Sequence, residues 1–320
     1  VDFSGKDRGL HIGDRICVTG KSKELEDLKI KDFDYGRHLR SKGINTYIEL
    51  SSTYLYGRSG IYYMIGRLKD YCIEANKFMY KSYGDILNSI VLGYRGDLDK
   101  DVVYNFRDAG VSHVMSISGL HISILVGIFL VLVGRINSLG RLGLLFILLI
   151  LYNLLVGGGP SITRAIGLSL LGAMTYFLDR RLDSINILAL IASIMIYLNP
   201  YIIYNISFQL SFLAVLSIVI YAKYLRKYIY TDFLNTCLAA NILTFPLVLY
   251  NFKTFSMVGV IGNIFILPFI GLVVFLDMLS LLVYGISIDL ALSVAYINKA
   301  ILGPVYYFLE RLANYGTYNM

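Results

Sequence analysis

GVSHVMSISGLHISILVG, residues 110–127, opens an apolar run that extends to Val133. The run is long enough to enter a membrane. Two histidines and several serines lie at its start, where Ser118 and Gly119 interrupt the apolar pattern. Polar groups at membrane depth are costly unless they line a cavity or bind one another. The stretch therefore predicts a membrane helix with a functional site at its beginning.

Composition extends this interpretation to the whole chain. Hydrophobic residues make up 56% of it and charged residues 16%, and the mean hydropathy of +0.63 is typical of a polytopic membrane protein. The first 110 residues hold 18 of the 29 Lys and Arg and 16 of the 22 Asp and Glu. We therefore expect a water-facing N-terminal part, residues 1–60, a connector, residues 61–110, and a membrane domain, residues 111–320.

Apolar runs of about 17–25 residues predict about seven to eight spans, some of them broken. Pro268 and Gly271 would divide the seventh run if the chain turned back there. The runs lie near residues 114–133, 142–156, 161–178, 185–198, 206–222, 233–250, 255–283 and 287–309.

Basic residues fall on alternate loops between these runs. One set carries Arg135 with Arg141, Arg180 with Arg181, and Lys223 with Arg226 and Lys227, whereas the other set contains only Lys253. The positive-inside rule places the first set in the cytoplasm, and residues 1–110 on the opposite side. The net charge of +7 is explained by this bias and does not by itself indicate nucleic-acid binding.

The N-terminal part alternates short apolar and polar runs, which predicts strands at 15–20 and 45–52 and a small β-barrel or sheet. Residues 61–92 are predicted to form an amphipathic helix at the outer membrane interface, since Arg67, Lys69, Asp70 and Glu74 argue against a span. The first 15 residues lack the apolar core of a signal peptide. A disulfide between Cys17 and Cys72 remains open, and the cysteines show no metal-binding spacing.

The opening motif has three interpretations. His113, Ser116, Ser118, Gly119 and His121 could line a polar passage, or form a tightly packed polar helix contact. Ser118 and His121 are also one turn apart, the spacing of a nucleophile and a base, but no acid lies nearby to orient the histidine. The two histidines would stand about 12 Å apart on one continuous helix, too far to share a metal.

A second constellation, GGGPSITRA at residues 157–165, combines three glycines with a proline that starts the next helix. A helix beginning presents free backbone N–H groups to an anion, and Ser161 and Arg164 follow within one turn. Arg164 could instead be a structural residue whose charge reaches the headgroups. Further along the chain, Gln209 and Asn263 are pore-lining or interhelical amides, and Asp277 could pair with Arg164 or His121.

These motifs resemble the ComEC family, the inner-membrane channel proteins of bacterial DNA uptake. The resemblance runs from about Asp14 to Phe269 and is densest at residues 87–127, 157–165, 199–212 and 244–268. In the N-terminal part, DFDYGRHLRSKGI at 32–44 resembles the helix that interrupts the OB-like domain of that family. The family's nuclease signature His-x-His-x-Asp-His does not occur in the sequence, so no metal-dependent nuclease activity is expected of this chain.

An OB-like domain implies a groove for single-stranded nucleic acid where cations and aromatic rings share one face. The alternative is that the rings are core and the cations solvated, since nearby acids almost cancel the bases. The candidates for DNA contact are Lys21, Lys23, Lys31, Arg37, Arg40, Lys42, Tyr35 and Tyr47.

The resemblance implies a channel, not an enzyme, that carries single-stranded DNA across the bacterial cytoplasmic membrane during natural transformation, with no cofactor or metal. The implied partners are membrane lipid, an external DNA receptor and a cytoplasmic ATPase, since the chain has no P-loop. A separate nuclease and self-association remain open. The rival functions are an intramembrane Ser/His hydrolase and a small-solute transporter.

Overall fold

A computed structural model describes residues 14–25, 29–30, 33–58, 60–134, 138–177, 183–252, 254–255, 257–314 and 318–319. The chain within these ranges is mostly helical and begins with a small antiparallel sheet. The basic loops at 135–137 and 178–182, together with Lys31 and Lys253, lie outside the described residues.

The N-terminal sheet pairs two long strands, β1 (Asp14–Lys23) and β4 (Tyr47–Arg58), in antiparallel register from Asp14 opposite Arg58 to Lys23 opposite Tyr47. Two short strands between them, β2 (Lys29–Ile30) and β3 (Phe33–Asp34), pair with each other. Helix α1 (Tyr35–Ser41) follows β3, and its N-cap Asp34 accepts from the Arg37 N–H. Both predicted strands and the intervening helix are confirmed, whereas closure of the sheet into a barrel stays a prediction.

The connector contains more than the single amphipathic helix expected from the sequence. It forms α2 (Ile61–Tyr80), a 3₁₀ turn at Lys81–Tyr83, α3 (Gly84–Leu92) and α4 (Lys100–Asp108). Every residue of α3 is buried except the half-buried Asp85. Gly93 caps the C-terminal end of α3. Its φ of 65° is the left-handed conformation that glycine adopts without strain.

Every predicted membrane run is a helix, although the boundaries move by a few residues. The helices are α5 (Gly119–Val133), α6 (Ser138–Val156), α7 (Pro160–Phe177), α8 (Ser184–Leu198), α9 (Ile206–Leu225), α10 (Asp232–Phe252), α11 (Met257–Tyr284) and α12 (Ile288–Ala313). A 3₁₀ segment, Pro200–Tyr204, joins α8 to α9, and the strands β5 (Thr254–Phe255) and β6 (Tyr318–Asn319) pair near the end of the chain.

Among the described residues, five helices are long and apolar enough to cross a membrane, namely Leu139–Val156, Ile206–Leu225, Asp232–Asn251, Phe265–Tyr284 and Ile288–Ala313. Helices α5 and α8 are apolar but shorter. Helix α11 continues through Pro268 and Gly271 and does not divide there. The sequence therefore predicted the helices correctly, whereas the number of crossings stays a prediction.

The largest buried apolar cluster joins the connector to the membrane helices. It includes Ile90 of α3, Phe106 of α4, Ile122 of α5, Leu149 of α6 and Ile270 of α11. Where segments face water, the hydrophobic effect is the main force that stabilises their packing. Between helices within lipid, van der Waals contact is the main stabilising force. The connector is thus an integral part of the helical body.

Candidate functional site

Helix α5 begins at Gly119 because Ser118 caps it. The Ser118 Oγ accepts from the Leu120 N–H at 3.3 Å, and the Ser118 N–H donates to His121 Nδ1 at 3.2 Å. This is a capping box in which a histidine takes the place of the usual glutamate. The Ser118 Oγ also lies 3.3 Å from the same Nδ1, but a backbone N–H already uses that nitrogen's lone pair. The Ser118–His121 pair is therefore accounted for as a helix cap.

The polar residues of the opening motif do not form one cluster. His121 is only 1% exposed and lies beside the backbone of Ile90 in α3. His113 and Ser116 are exposed on the segment before α5, where the Ser116 hydroxyl donates to the His113 carbonyl at 2.9 Å. The two histidines lie on different elements, Ser112–Met115 and α5, and not on one continuous helix.

Gly93 lies between the opening motif, residues 110–127, and the glycine-rich motif, residues 157–165. A Cβ placed on Gly93 would lie 3.3 Å from Val156 Cγ1 and 3.4 Å from Ile117 Cδ1. Ile117 directly precedes Ser118, and Val156 directly precedes the glycines 157–159. We call Gly93, Ile117 and Val156 the Gly93 junction. It places the beginning of α5 next to the loop that leads into α7.

Two cations are fixed near the Gly93 junction. Lys69 is 7% exposed, and its Nζ lies 3.5 Å from the Val156 carbonyl at the end of α6. Arg95 is exposed, and its Nη2 donates to the Met115 carbonyl at 2.9 Å. Sequence reasoning used Lys69 only to exclude a span and did not consider Arg95. Their proximity to the motifs depends on how α2 and α3 pack, which no local pattern shows.

Arg164 is buried between α7 and α9. Its guanidinium donates from Nη1 to the Ser211 carbonyl and lies 5.9 Å above the Phe212 ring. The side chain is 8% exposed, and its Nε has no hydrogen-bond partner. The Ser211 Oγ is also without one. Arg164 therefore links two motifs that are distant in sequence and retains one buried N–H donor.

The glycines before α7 adopt backbone conformations that other residues rarely do. Gly157, Gly158 and Gly159 have φ values of 97°, 73° and 142°. Helix α7 then starts at Pro160, with Ser161 half-buried in its first turn. The N–H groups of a first helical turn have no acceptor within the helix. The structure thus has the glycine-preceded helix start that the sequence predicted.

Gln209 and Asn263 have different environments. The Gln209 Nε2 donates to the Ile203 carbonyl at 2.7 Å, which fastens α9 to the preceding 3₁₀ segment. Asn263 is half-buried, and its Oδ1 has no partner. The neighbouring Gly262 packs closely, since a Cβ there would lie 2.8 Å from the Ala109 carbonyl oxygen. The beginning of α11 therefore touches the backbone that leads from α4 towards α5.

Two of the predicted DNA-contacting cations are used inside the protein. The Arg37 guanidinium lies 4.8 Å from the Tyr204 ring centre, and that of Arg40 lies 5.4 Å from Tyr201. The Asn199 amide donates to the Arg40 carbonyl at 3.0 Å. Cation–π pairs of this kind stabilise a contact while holding the charge in place. Helix α1 is thereby docked on the Pro200–Tyr204 segment.

The remaining N-terminal candidates are more accessible. Lys21 and Lys42 are exposed, while Tyr35 and Tyr47 are half-buried. Lys23 is hydrogen-bonded to Glu49 on the opposite strand, and this bond raises the pKa of Lys23 above its ordinary value. His38 on α1 has its pKa lowered, first by burial and then by Lys42, so it is neutral near pH 7.

A buried polar cluster was missed by sequence reasoning. We call it the Asp277 cluster, and it consists of Asn76, Tyr80, Asn88, Asp277, Ser280 and Asn298. Its members come from α2, α3, α11 and α12 and are at most 1% exposed. The Asn76 Nδ2 donates to Asp277 Oδ2 at 3.4 Å, whereas Arg164 donates to Ser211 and His121 accepts from Ser118. The predicted pairing of Asp277 with Arg164 or His121 is therefore not found among the contacts of the described residues. The only available signal was a set of isolated polar residues in apolar surroundings.

All three cysteines are free, and Cys17 is exposed. Within the described part of the chain, no group of three or more His, Cys, Asp or Glu side chains has an arrangement that could hold a metal ion.

The family of the chain follows from comparison with known proteins. A family model described as "Competence protein" matches residues 90–319. The chain belongs to this competence protein family. The matched region contains the opening motif, the glycines before α7, Arg164 and Asp277.

The chain is also similar to two individual proteins. "ComE operon protein 3" of Bacillus subtilis (strain 168) is 26% identical over 262 residues, which cover 79% of this chain and 33% of that protein. An uncharacterized protein of Aquifex aeolicus (strain VF5) is 30% identical over 164 residues, 49% of this chain and 38% of its own length. The chain thus spans only 33% and 38% of the lengths of these two relatives. No solved structure matches the chain.

Proposed function

We propose that this competence protein forms a membrane channel that passes single-stranded DNA across the bacterial cytoplasmic membrane during natural transformation. The observation that carries the proposal is the Gly93 junction, which brings two family-matched motifs together next to Lys69 and Arg95. A polynucleotide carries one negative charge per phosphate, so a path for it requires fixed cations and backbone donors along polar walls. Lys69 and Arg95 supply two such cations beside the junction.

From the Gly93 junction, the proposed DNA path would continue along polar residues and glycines. Ser118 and Gly119 are half-buried, and Ser161 has the same exposure at the start of α7. The N–H groups of that helix start attract an anion because the helix dipole is positive there. The unpartnered Nε of Arg164 is a further donor one turn into the helix. His113, Ser116, His121, Gln209 and Asn263 complete the proposed path.

The N-terminal sheet and α1 would lie outside the cytoplasm and meet DNA first. Support comes from the docking of α1 on Pro200–Tyr204, a segment that the distribution of basic residues also predicts to be external. Lys21 and Lys42 remain exposed for weak contact with phosphates. Lys31 belongs to the same proposal but lies outside the described residues.

The proposal also includes partners that supply what a passive channel lacks. An external DNA receptor would deliver the strand and a cytoplasmic ATPase would pull it, because the sequence contains no P-loop. A separate nuclease would remove the other strand. Apolar side chains on the outer faces of the helices, such as Leu132, Leu151 and Phe275, would contact lipid.

The hydrolase alternative has less support. A serine nucleophile needs a base nitrogen free to take its proton, and His121 Nδ1 already accepts from the Ser118 backbone. A carrier for small solutes is favoured by no particular contact in the structure. The channel is therefore the function that the site supports best.

The test is DNA uptake by a strain that lacks the native gene and expresses either the wild-type protein or Arg95→Glu. Arg95 is exposed but also donates to the Met115 carbonyl, so the amount of inserted protein is measured for both variants. We expect surface-bound DNA to be unchanged while DNA entering the cytoplasm falls, because a negative charge now repels phosphate at the junction. Arg107→Glu is the matched control, since Arg107 is an exposed cation on α4 that pairs with Asp108. Equal uptake by both variants would contradict a path at the junction.

A further inference from the structure

The Asp277 cluster contains a buried carboxylate without a cationic partner. Asp277 is 0% exposed, and its Oδ2 accepts from the Asn76 amide. Among the ion pairs formed by the described residues, none includes Asp277. Burying an ionised carboxylate without compensation is strongly unfavourable, so the carboxyl group at this position needs either a proton or a counter-charge.

The amide orientations in the cluster are fixed by their neighbours. The Asn298 Nδ2 donates to the Val273 carbonyl at 3.1 Å, and a carbonyl can only accept. The Asn88 Nδ2 donates to the Ile73 carbonyl at 3.3 Å, which leaves Asn88 Oδ1 to accept from Asn76 Nδ2 at 3.1 Å. Each amide oxygen is therefore placed by an independent hydrogen bond and not by an arbitrary choice of flip.

These orientations leave three buried oxygens without a hydrogen bond. They are Asn76 Oδ1 on α2, Asp277 Oδ1 on α11 and Asn298 Oδ1 on α12. The three residues belong to one network. Asn76 donates to Asp277, and Asn298 donates to the Tyr80 hydroxyl at 3.1 Å. The Tyr80 hydroxyl lies 3.0 Å from the Ser280 Oγ, which donates to the Asp277 backbone carbonyl at 2.9 Å. Buried polar atoms are almost always satisfied in native proteins, so three unpartnered oxygens in one network call for a hydrogen-bond donor or a cation between them.

We propose that the Asp277 cluster binds a monovalent metal cation, with sodium as the probe ion, through Asn76 Oδ1, Asp277 Oδ1 and Asn298 Oδ1. Carboxylate and amide oxygens are the ligands that hard cations prefer. A single positive charge neutralises the single carboxylate, whereas a divalent ion would leave a net charge buried. A proton on Asp277 would satisfy at most two of the three oxygens, while a cation satisfies all three.

Binding would join two parts of the chain. Asn76 precedes the family-matched residues 90–319, and Asp277 and Asn298 lie within them. The ion would thus clamp α2 onto α11 and α12. The proposal does not depend on DNA transport, so it can fail or succeed separately from the proposed function.

The experiment uses the full chain purified in detergent without sodium, with choline chloride keeping the ionic strength constant. We expect the thermal unfolding midpoint to rise with sodium concentration and then to level off as the site saturates. Equilibrium dialysis with radioactive sodium should give about one ion per chain for one such site. The dialysis measurement needs only the wild-type protein, so it decides the question even if a variant does not fold.

Asp277→Asn removes the charge at nearly constant size and should abolish the sodium-dependent rise. Asn235→Ala is the matched control, because Asn235 is also a buried amide with an unpartnered Oδ1 but lies on α10, outside the cluster. The control should keep the full sodium response. The proposal is overturned if wild-type protein binds no sodium, if Asp277→Asn keeps the response, or if stability varies with pH but not with sodium.

Discussion

Arg164 of α7 donates to the backbone carbonyl of Ser211 in α9, so a motif that looked like an anion site from sequence is also a link between two helices. The two roles make separable predictions. The backbone acceptor at Ser211 does not depend on its side chain, whose Oγ has no partner. The side chain at 211 can therefore be changed while the link is kept.

Arg164→Gln should reduce DNA import into the cytoplasm and lower the stability of the protein, since a charge-assisted hydrogen bond contributes about 1.5–3 kcal/mol. Arg164→Lys should retain part of the import, because the charge stays while the planar fork is lost. Import and the thermal midpoint are measured in parallel. Ser211→Ala is the control and should change neither. Normal import by a Gln variant with a lowered thermal midpoint would reduce Arg164 to a purely structural residue.

Ser118→Ala should weaken the start of α5 without stopping transport. Loss of an N-cap side chain costs about 0.5–2 kcal/mol, and the Ser118 N–H can still donate to His121. The expected result is a lower thermal midpoint with DNA uptake largely preserved. Labelling with a fluorophosphonate probe tests the rival enzyme. Complete loss of uptake, together with covalent modification of Ser118 in the wild-type protein, would favour the hydrolase.

Gly119→Leu should block passage more than it affects folding. A Cβ at Gly119 would meet no atom within 4 Å, so the side chain can be accommodated and would extend into this open space. Gly119→Ala serves as the control, because it adds a Cβ but fills little of the space. We expect DNA uptake to fall with leucine and to stay near normal with alanine. Equal uptake by both variants would place the path elsewhere.

Gly262→Val should destabilise the protein by impairing the contact between α11 and the backbone after α4. The added Cβ would lie 2.8 Å from the Ala109 carbonyl oxygen, and backbone cannot move aside as a flexible side chain can. The measurement is the unfolding midpoint of the purified protein. In contrast, Gly127→Ala on α5 meets no atom within 4 Å and should be neutral or stabilising by up to about 1 kcal/mol. A stable Gly262→Val protein would contradict the close approach.

Single-stranded DNA should bind weakly to the N-terminal sheet, and Lys21→Glu with Lys42→Glu should reduce this binding. Both lysines are exposed, and contacts to phosphates release counterions, so affinity falls as salt rises. Binding is measured on the full chain by fluorescence anisotropy at two salt concentrations. Arg40→Gln is a useful comparison because Arg40 is held against Tyr201 and should matter less. Binding that does not respond to salt would exclude this electrostatic mechanism.

The sequence determined the helices, the first strands and the family of the chain. The patterns that predict these features depend only on residues that are close in the sequence. Examples are the apolar runs, the cap at Ser118, and Pro160 after three glycines. Contacts between distant residues, in contrast, depend on how the helices pack. Three contacts join segments that are far apart in the chain. They are Gly93 with Ile117 and Val156, Arg164 with Ser211, and Asp277 with Asn76.

Helix formation and capping depend on backbone hydrogen bonds between neighbours, and hydropathy is an average over a short window. The partner of a buried polar residue depends instead on how helices cross, and many arrangements bury the same apolar faces equally well. For Asp277 the sequence left Arg164 and His121 as equally good partners, and only the packing of α2 against α11 and α12 put Asn76 beside it.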